Sequence, residues 1–218
     1  MMAKKLYLSA AAHAADNATA CPVSCSENTH CNAYMDLVEA RMRAHGVEVR
    51  RGAPALTGDI AMAARVKEAN SWGADLYYVA HTNAGGGRYS MTMCWGDAAS
   101  LAMAEILHKH RKSVDSHKVV TRKDLYEIRA TKMICLYDEL FFHDNAEDCA
   151  WFHGGGMQQM AEETVAALCA MLGITYVPMP QEKTDRLYRV QVGAYAQKSN
   201  ATAMVQRLKE AGFEAIIV

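Results

Sequence analysis

Four residues in this chain carry the chemistry of a metal-assisted hydrolase. His13 follows the apolar run Lys5-Leu6-Tyr7-Leu8-Ser9, and His81 ends the run Leu76-Tyr77-Tyr78-Val79-Ala80. Ile134-Cys135-Leu136-Tyr137 passes through Asp138 to Glu139, and Glu27 stands just before an amphipathic stretch. Two imidazoles and one carboxylate leave a tetrahedral zinc ion one open position, which is how hydrolytic zinc sites are built. A further carboxylate nearby can take the proton of the water activated there. Singly, each residue has a plainer role. A histidine after a strand is commonly structural, and a glutamate near a helix N-terminus is favoured by the helix dipole. As an ordered set they lead to the expectation of a zinc hydrolase.

Such residues must be held by strands, because open α/β sheets gather their ligands beyond the carboxyl ends of the strands. The chain alternates accordingly. Residues 5–10 read as a strand, followed by a loop to about His30. Tyr34, Leu37, Val38 and Met42 form a helical stripe ended by Gly46. A short strand spans 48–51. A helix over 59–71 has Ile60, Ala64 and Val66 as its apolar members. Strands follow at 76–81 and 90–95, around the turn Gly85-Gly86-Gly87. Asp97 can cap a helix with Ala98, Leu101, Ala102 and Ile106 inward. Residues 112–131 are polar and show no clear period. A last strand covers 133–139, and Met157, Met160, Ala161, Thr164, Val165, Leu168 and Met171 mark a final helix closed by Gly173. This order predicts an α/β fold, a mainly parallel twisted sheet with helices on both faces.

The composition shifts at Pro178. Residues 1–177 read as a catalytic domain, 178–186 as a polar linker containing proline, and 187–218 as a small βαβ half-domain. In that tail Tyr188–Tyr195 alternates as a strand, Asn200 caps a helix, and Glu214–Val218 is a second strand. Chains below about 40 residues rarely hold a core alone, so this half-unit implies a partner.

The 218 residues are 51% hydrophobic and 22% charged, with a net charge of −1. Near-zero charge argues against a nucleic-acid partner. No apolar run is long enough for a membrane span. The apolar stretch after Lys4-Lys5 is short and broken by His13, so it reads as a strand and not a signal peptide, and cytoplasmic synthesis is expected. Seven cysteines in such a chain are expected to be reduced. Cys94, Cys135 and Cys169 lie in apolar patterns. Cys21, Cys25 and Cys31, beside His30, follow no common zinc-finger spacing. His108, His110, His117, His143 and His153 are expected on the surface. Neither glycine triplet follows a phosphate-loop pattern.

The segments Ala80-His81-Thr82-Asn83-Ala84 and Glu139-Leu140-Phe141-Phe142-His143-Asp144-Asn145, with His13 after the first strand and Glu27 opening the first helix, resemble the amidase-3 family. These are zinc-dependent N-acetylmuramoyl-L-alanine amidases that degrade bacterial cell wall. Arg65 with Ala69-Asn70 also matches the usual run of that family. The resemblance covers about residues 4–173. It implies Zn2+ held by His13, Glu27 and His81, with Glu139 as general base and Asn83 orienting the site. The bond cut would join N-acetylmuramic acid to L-alanine in peptidoglycan. The first motif, Ser9-Ala10-Ala11-Ala12-His13-Ala14-Ala15, lacks the family's usual proline and glycines, and His30 is a rival ligand to Glu27. The tail, through Val190-Gln191-Val192-Gly193-Ala194-Tyr195, resembles the first half of a SPOR repeat, a module that binds peptidoglycan. Either the repeat is cut short in this sequence, or pairing of two tails in a homodimer completes it.

The resemblance implies an endolysin or autolysin that acts on the wall after release. Two rival readings keep the same fold: a catalytically weak wall-binding protein, motivated by the altered first motif, and a zinc peptidase acting on the stem peptide.

Overall fold

The computed structural model describes residues 3–15, 17–53, 56–179 and 190–217. Continuous apolar runs build the central strands. In β1 (Lys5–Ala10), β3 (Leu76–Asn83) and β6 (Ile134–Phe142) nearly every residue is buried, as strands covered on both faces require. With β2 (Glu48–Arg51), β4 (Ser90–Cys94) and β5 (His117–Thr121) they form one sheet in the order β2-β1-β3-β6-β4-β5. All neighbours are parallel except β4 and β6. The sheet is thus mixed and mainly parallel.

The two faces have separate cores. Leu6, Leu8, Tyr78 and Leu136 face α1 (Glu27–Ala44), α3 (Ala98–His110) and α6 (Met157–Leu172). Tyr7, Tyr77, Val79 and Cys135 face α2 (Gly58–Trp72) and α4 (Tyr126–Ala130). Tyr7 and Tyr77 stack with centroids 5.1 Å apart. Fully burying one such large side chain stabilises by roughly 1.5–3 kcal/mol. Ser26 caps α1: its hydroxyl accepts from the Thr29 N–H, and the Thr29 hydroxyl accepts from the Ser26 N–H. The short helix α5 (Ala146–Trp151) leads through Phe152–Gly156, kinked at Gly155 (φ 117°), into α6.

Two helix faces differ from expectation. In α2, Ile60 is 78% exposed and the buried residues are Ala61, Arg65, Val66 and Ala69. In α3, Leu101 and Ala102 point outward while Ser100, Ala104 and Leu107 are buried. Alanines lie on both faces of these helices, so local apolarity does not select the buried face; packing against the sheet does. The polar stretch 112–131 contains β5 and α4.

The chain divides into two units, Met1–Pro178 and Met179–Val218. In the second, α7 (Lys198–Glu210) forms as expected. The strands expected beside it do not: residues 190–195 and 214–217 carry no ladder among the described residues, while Tyr188, Arg189, Val218 and most of the expected linker lie outside them. A strand is defined by the neighbour that takes its N–H and C=O groups, and the described residues of this half-unit offer none.

Candidate metal centre

The parallel strands β1, β3 and β6 lie side by side and deliver their carboxyl ends to one edge. His13 follows β1 by three residues. Its N–H donates to Asn28 Oδ1 and its carbonyl accepts from Asn28 Nδ2, both at 3.0 Å. This clamp from α1 fixes a turn that has neither proline nor glycine. Glu27 is the first residue of α1 and is buried. His81 lies in β3, its ring stacked on Tyr137 at 4.7 Å.

Three of the candidate residues meet. Glu27 Oε2 lies 3.1 Å from His13 Nε2, and Glu27 Oε1 lies 3.0 Å from His81 Nδ1. One ligand atom from each of the three lies within 4.8 Å of the others. Glu27 Oε1 also accepts from the Thr82 N–H at 3.0 Å, and Oε2 from Asn17 Nδ2 at 2.5 Å. Burial alone would raise the Glu27 carboxyl. The hydrogen bond and charge of His81, with the Thr82 and Asn17 donors, hold it at about 2. An ionised carboxylate between two imidazoles is a donor set suited to Zn2+. His30, the rival to Glu27, turns to a different cluster with Cys21, Cys25 and His153.

Glu139 pairs with His81 in the β3–β6 register. Period two settles its face: residues 135, 137 and 139 share the side of residues 77, 79 and 81. Glu139 Oε2 is buried with no hydrogen-bond partner among the described residues. Burial is the largest influence on it and pushes the carboxyl up to about 7; His81 opposes that rise and Glu27 adds to it. Asp138, on the opposite face, is fully buried and satisfied. It accepts from Arg111 Nη2 at 2.5 Å and from Tyr78 and Thr92 hydroxyls at 2.8 Å. Burial would raise its carboxyl, but Arg111 holds it at about 2. Asp138 is therefore tied into the core.

Sequence reasoning missed several partners. His143, expected on the surface, is buried: its Nδ1 lies 2.8 Å from Thr82 Oγ1 and 4.0 Å from Glu27 Oε2. His117 is also covered, 2.9 Å from Thr92 Oγ1. Asn17 sits in a loop with no periodic signal. Below the centre, Arg65 donates to the Ala10 carbonyl at 2.5 Å and to Ser9 Oγ at 3.1 Å, and Ser9 donates to the buried Glu127 at 2.6 Å. Arg65, Glu127, His13, His81 and Tyr137 line a cleft of about 400 Å³. Asn83 caps its own turn, accepting from the Ala84 N–H at 2.8 Å, so its side chain serves the loop.

The sequence profile described as "N-acetylmuramoyl-L-alanine amidase" matches residues 10–170, and that of the SPOR domain matches residues 160–218. Among curated proteins, the amidase CwlM of Bacillus licheniformis is 26% identical over 164 residues, covering 73% of this chain and 62% of that protein. The sporulation-specific amidase of Bacillus subtilis is 23% identical over 159 residues, covering 71% and 60%. The chain thus spans somewhat under two thirds of the length of these relatives. Among solved structures, the catalytic domain of CwlV from Paenibacillus polymyxa superposes with a TM-score of 0.71 at 20% identity, covering 79% of this chain and 99% of that one. The catalytic domain of the CD27L endolysin, which targets Clostridia difficile, gives 0.67 at 19% identity, covering 77% and 97%. At these identities the superpositions establish the fold.

Proposed function

Because this chain belongs to the N-acetylmuramoyl-L-alanine amidase family by its match over residues 10–170, we propose that it is a zinc-dependent amidase of peptidoglycan. The bond hydrolysed joins the lactyl group of N-acetylmuramic acid to L-alanine. One observation carries the reading. His13, Glu27 and His81 converge, and the buried Glu139 Oε2, without a hydrogen-bond partner among the described residues, lies on the neighbouring strand and the same face.

His13, Glu27 and His81 would hold the ion. Zinc, when bound, polarises the scissile carbonyl and makes a water acidic enough to ionise near neutral pH. Glu139 accepts the proton from the attacking water and returns it to the alanine nitrogen as the C–N bond breaks. Burial raises its proton affinity in the metal-free protein, and a bound cation would draw it back toward the ionised form that a base needs. Asn17 and Thr82 orient Glu27 and keep it ionised.

Treatment with a chelator is expected to abolish clearing of purified cell walls, and added Zn2+ to restore it. Mass spectrometry of the released fragments should show intact stem peptides with a free L-alanine amine. Cuts inside the stem peptide would replace this reading with the peptidase one, and clearing unaffected by chelation would remove the metal from it.

For the tail we propose peptidoglycan attachment through a SPOR-like unit, and pairing of two chains through that unit. Val190, Val192, Phe213 and Ile216 are exposed in segments without a ladder, which supports pairing. Light scattering at micromolar concentration should give twice the mass of the chain, and a truncation after Pro178 should give a monomer. A monomeric mass for the full chain would exclude the pairing. Among the described residues no helix is long and apolar enough to cross a membrane. Release as an endolysin or autolysin remains part of the proposal.

A further inference from the structure

We propose that Cys21, Cys25, His30 and His153 form a second metal site, a structural Zn2+ centre separate from the catalytic one. Their ligand atoms all lie within 4.8 Å of one another. His30 Nε2 is 3.3 Å from Cys21 Sγ, 3.0 Å from Cys25 Sγ and 3.1 Å from His153 Nε2, and Cys25 Sγ is 3.7 Å from His153 Nε2. Zinc–sulfur bonds of about 2.3 Å and zinc–nitrogen bonds of about 2.0–2.1 Å, set at tetrahedral angles, imply donor separations of roughly 3.3–3.8 Å. Two of the four contacts, at 3.3 and 3.7 Å, lie in that range, and the two at 3.0 and 3.1 Å fall a few tenths of an ångström short of it, so an ion entering would spread the donors slightly.

Hydrogen bonding does not account for the cluster. A ring nitrogen carries one hydrogen or one in-plane lone pair, so it satisfies one neighbour. Three polar atoms crowd His30 Nε2. A cation at the common centre satisfies all four donors together, and two thiolates with two neutral imidazoles balance its charge. A tetrahedral set of two sulfurs and two nitrogens selects zinc among the common divalent ions.

The fold brings the ligands from three places. Cys21 and Cys25 lie in the loop before α1. His30 is one turn into α1, packed on Phe141 and Phe152 with centroids at 5.3 and 5.6 Å. His153 is presented by the segment between α5 and α6, just before the kink where Gly155 takes a left-handed φ of 117°. The ion would pin the loop that carries Asn17, whose amide bonds Glu27. Cys31 lies in the core and takes no part.

The test uses the full chain. Elemental analysis is expected to give two zinc per chain, falling to one in Cys21→Ser/Cys25→Ser and to one in His81→Ala. The cobalt-substituted protein should show a thiolate-to-metal charge-transfer band that is lost in the cysteine variant and kept in His81→Ala. Should the cysteine variant fail to fold, alkylation of the native protein still decides. Cys21 and Cys25 should resist labelling until a chelator is added, as peptide mapping would show. Unchanged zinc content in a folded cysteine variant, absence of the thiolate band, labelling indifferent to chelation, or a Cys21–Cys25 disulfide in the native protein would each overturn the proposal. None of these readouts depends on amidase activity.

Discussion

Replacing Glu139 with glutamine should reduce wall hydrolysis by about 10²–10⁴-fold, the usual contribution of a positioned general base, while leaving zinc content unchanged. The amide keeps the shape of the side chain and cannot take a proton from water. The same substitution should stabilise the metal-free protein at alkaline pH. The Glu139 carboxyl is raised from 4.5 to about 7, mainly by burial. Between those values the unfolded chain releases this proton and the folded chain retains it. Stability of the wild type therefore falls as pH rises through that window, by up to about 3 kcal/mol at 1.36 kcal/mol per unit. Glutamine removes that loss. Denaturant melts of chelated protein should converge near pH 4 and favour the variant at pH 8. A variant that clears walls as fast as wild type would end the assignment of the base. One less stable than wild type at pH 8 would contradict the burial argument.

The second large effect lies in the core. Arg111→Met should cost about 3–5 kcal/mol, because it leaves the Asp138 carboxylate buried without its countercharge. At roughly 2–4 °C per kcal/mol for a domain of this size, the melting temperature should drop on the order of 10 °C. Arg111 and Asp138 are both fully buried, and Arg111 also donates to the Met160 carbonyl and to Thr164 Oγ1 at 3.0 Å. The pair thereby joins β6 to α6. Arg111→Met/Asp138→Leu should recover part of the loss, since neither charge is then stranded. A single variant that melts within 2 °C of wild type would show that water reaches the pair. The experiment also separates two adjacent acids. Asp138→Asn should lower stability and retain hydrolysis at a permissive temperature, the opposite of Glu139→Gln.

The direction of β4 illustrates what length alone can decide. Ala84–Tyr89 joins β3 to β4, and a parallel crossover needs a dozen or more residues. The strand must therefore run back, and it does so beside β6, which enters the sheet between them. That insertion joins residues far apart in sequence, and no local pattern announces it. Helix faces were harder to read. Ile60 and Leu101 are apolar yet exposed, while α2 buries Ala61, Arg65, Val66 and Ala69 and α3 buries Ser100, Ala104 and Leu107, because the buried face is set by packing over the whole fold.

By itself the sequence determined most strands of the main sheet, the approximate extent of its longer helices and the order of His13, Glu27, His81 and Glu139, since periodicity and residue chemistry are local properties; β5, α4 and the form of the tail lay beyond it. The parity of β6 already separates Glu139 from Asp138, because alternate residues of a strand face opposite ways. Only the tertiary structure decided the company these residues keep. It buried His143 beside Glu27, brought Asn17 onto the same carboxylate, and gathered His153 with three residues more than a hundred positions earlier. Such meetings depend on strand order and on the turn at Phe152–Gly156, which arise from packing over the whole chain.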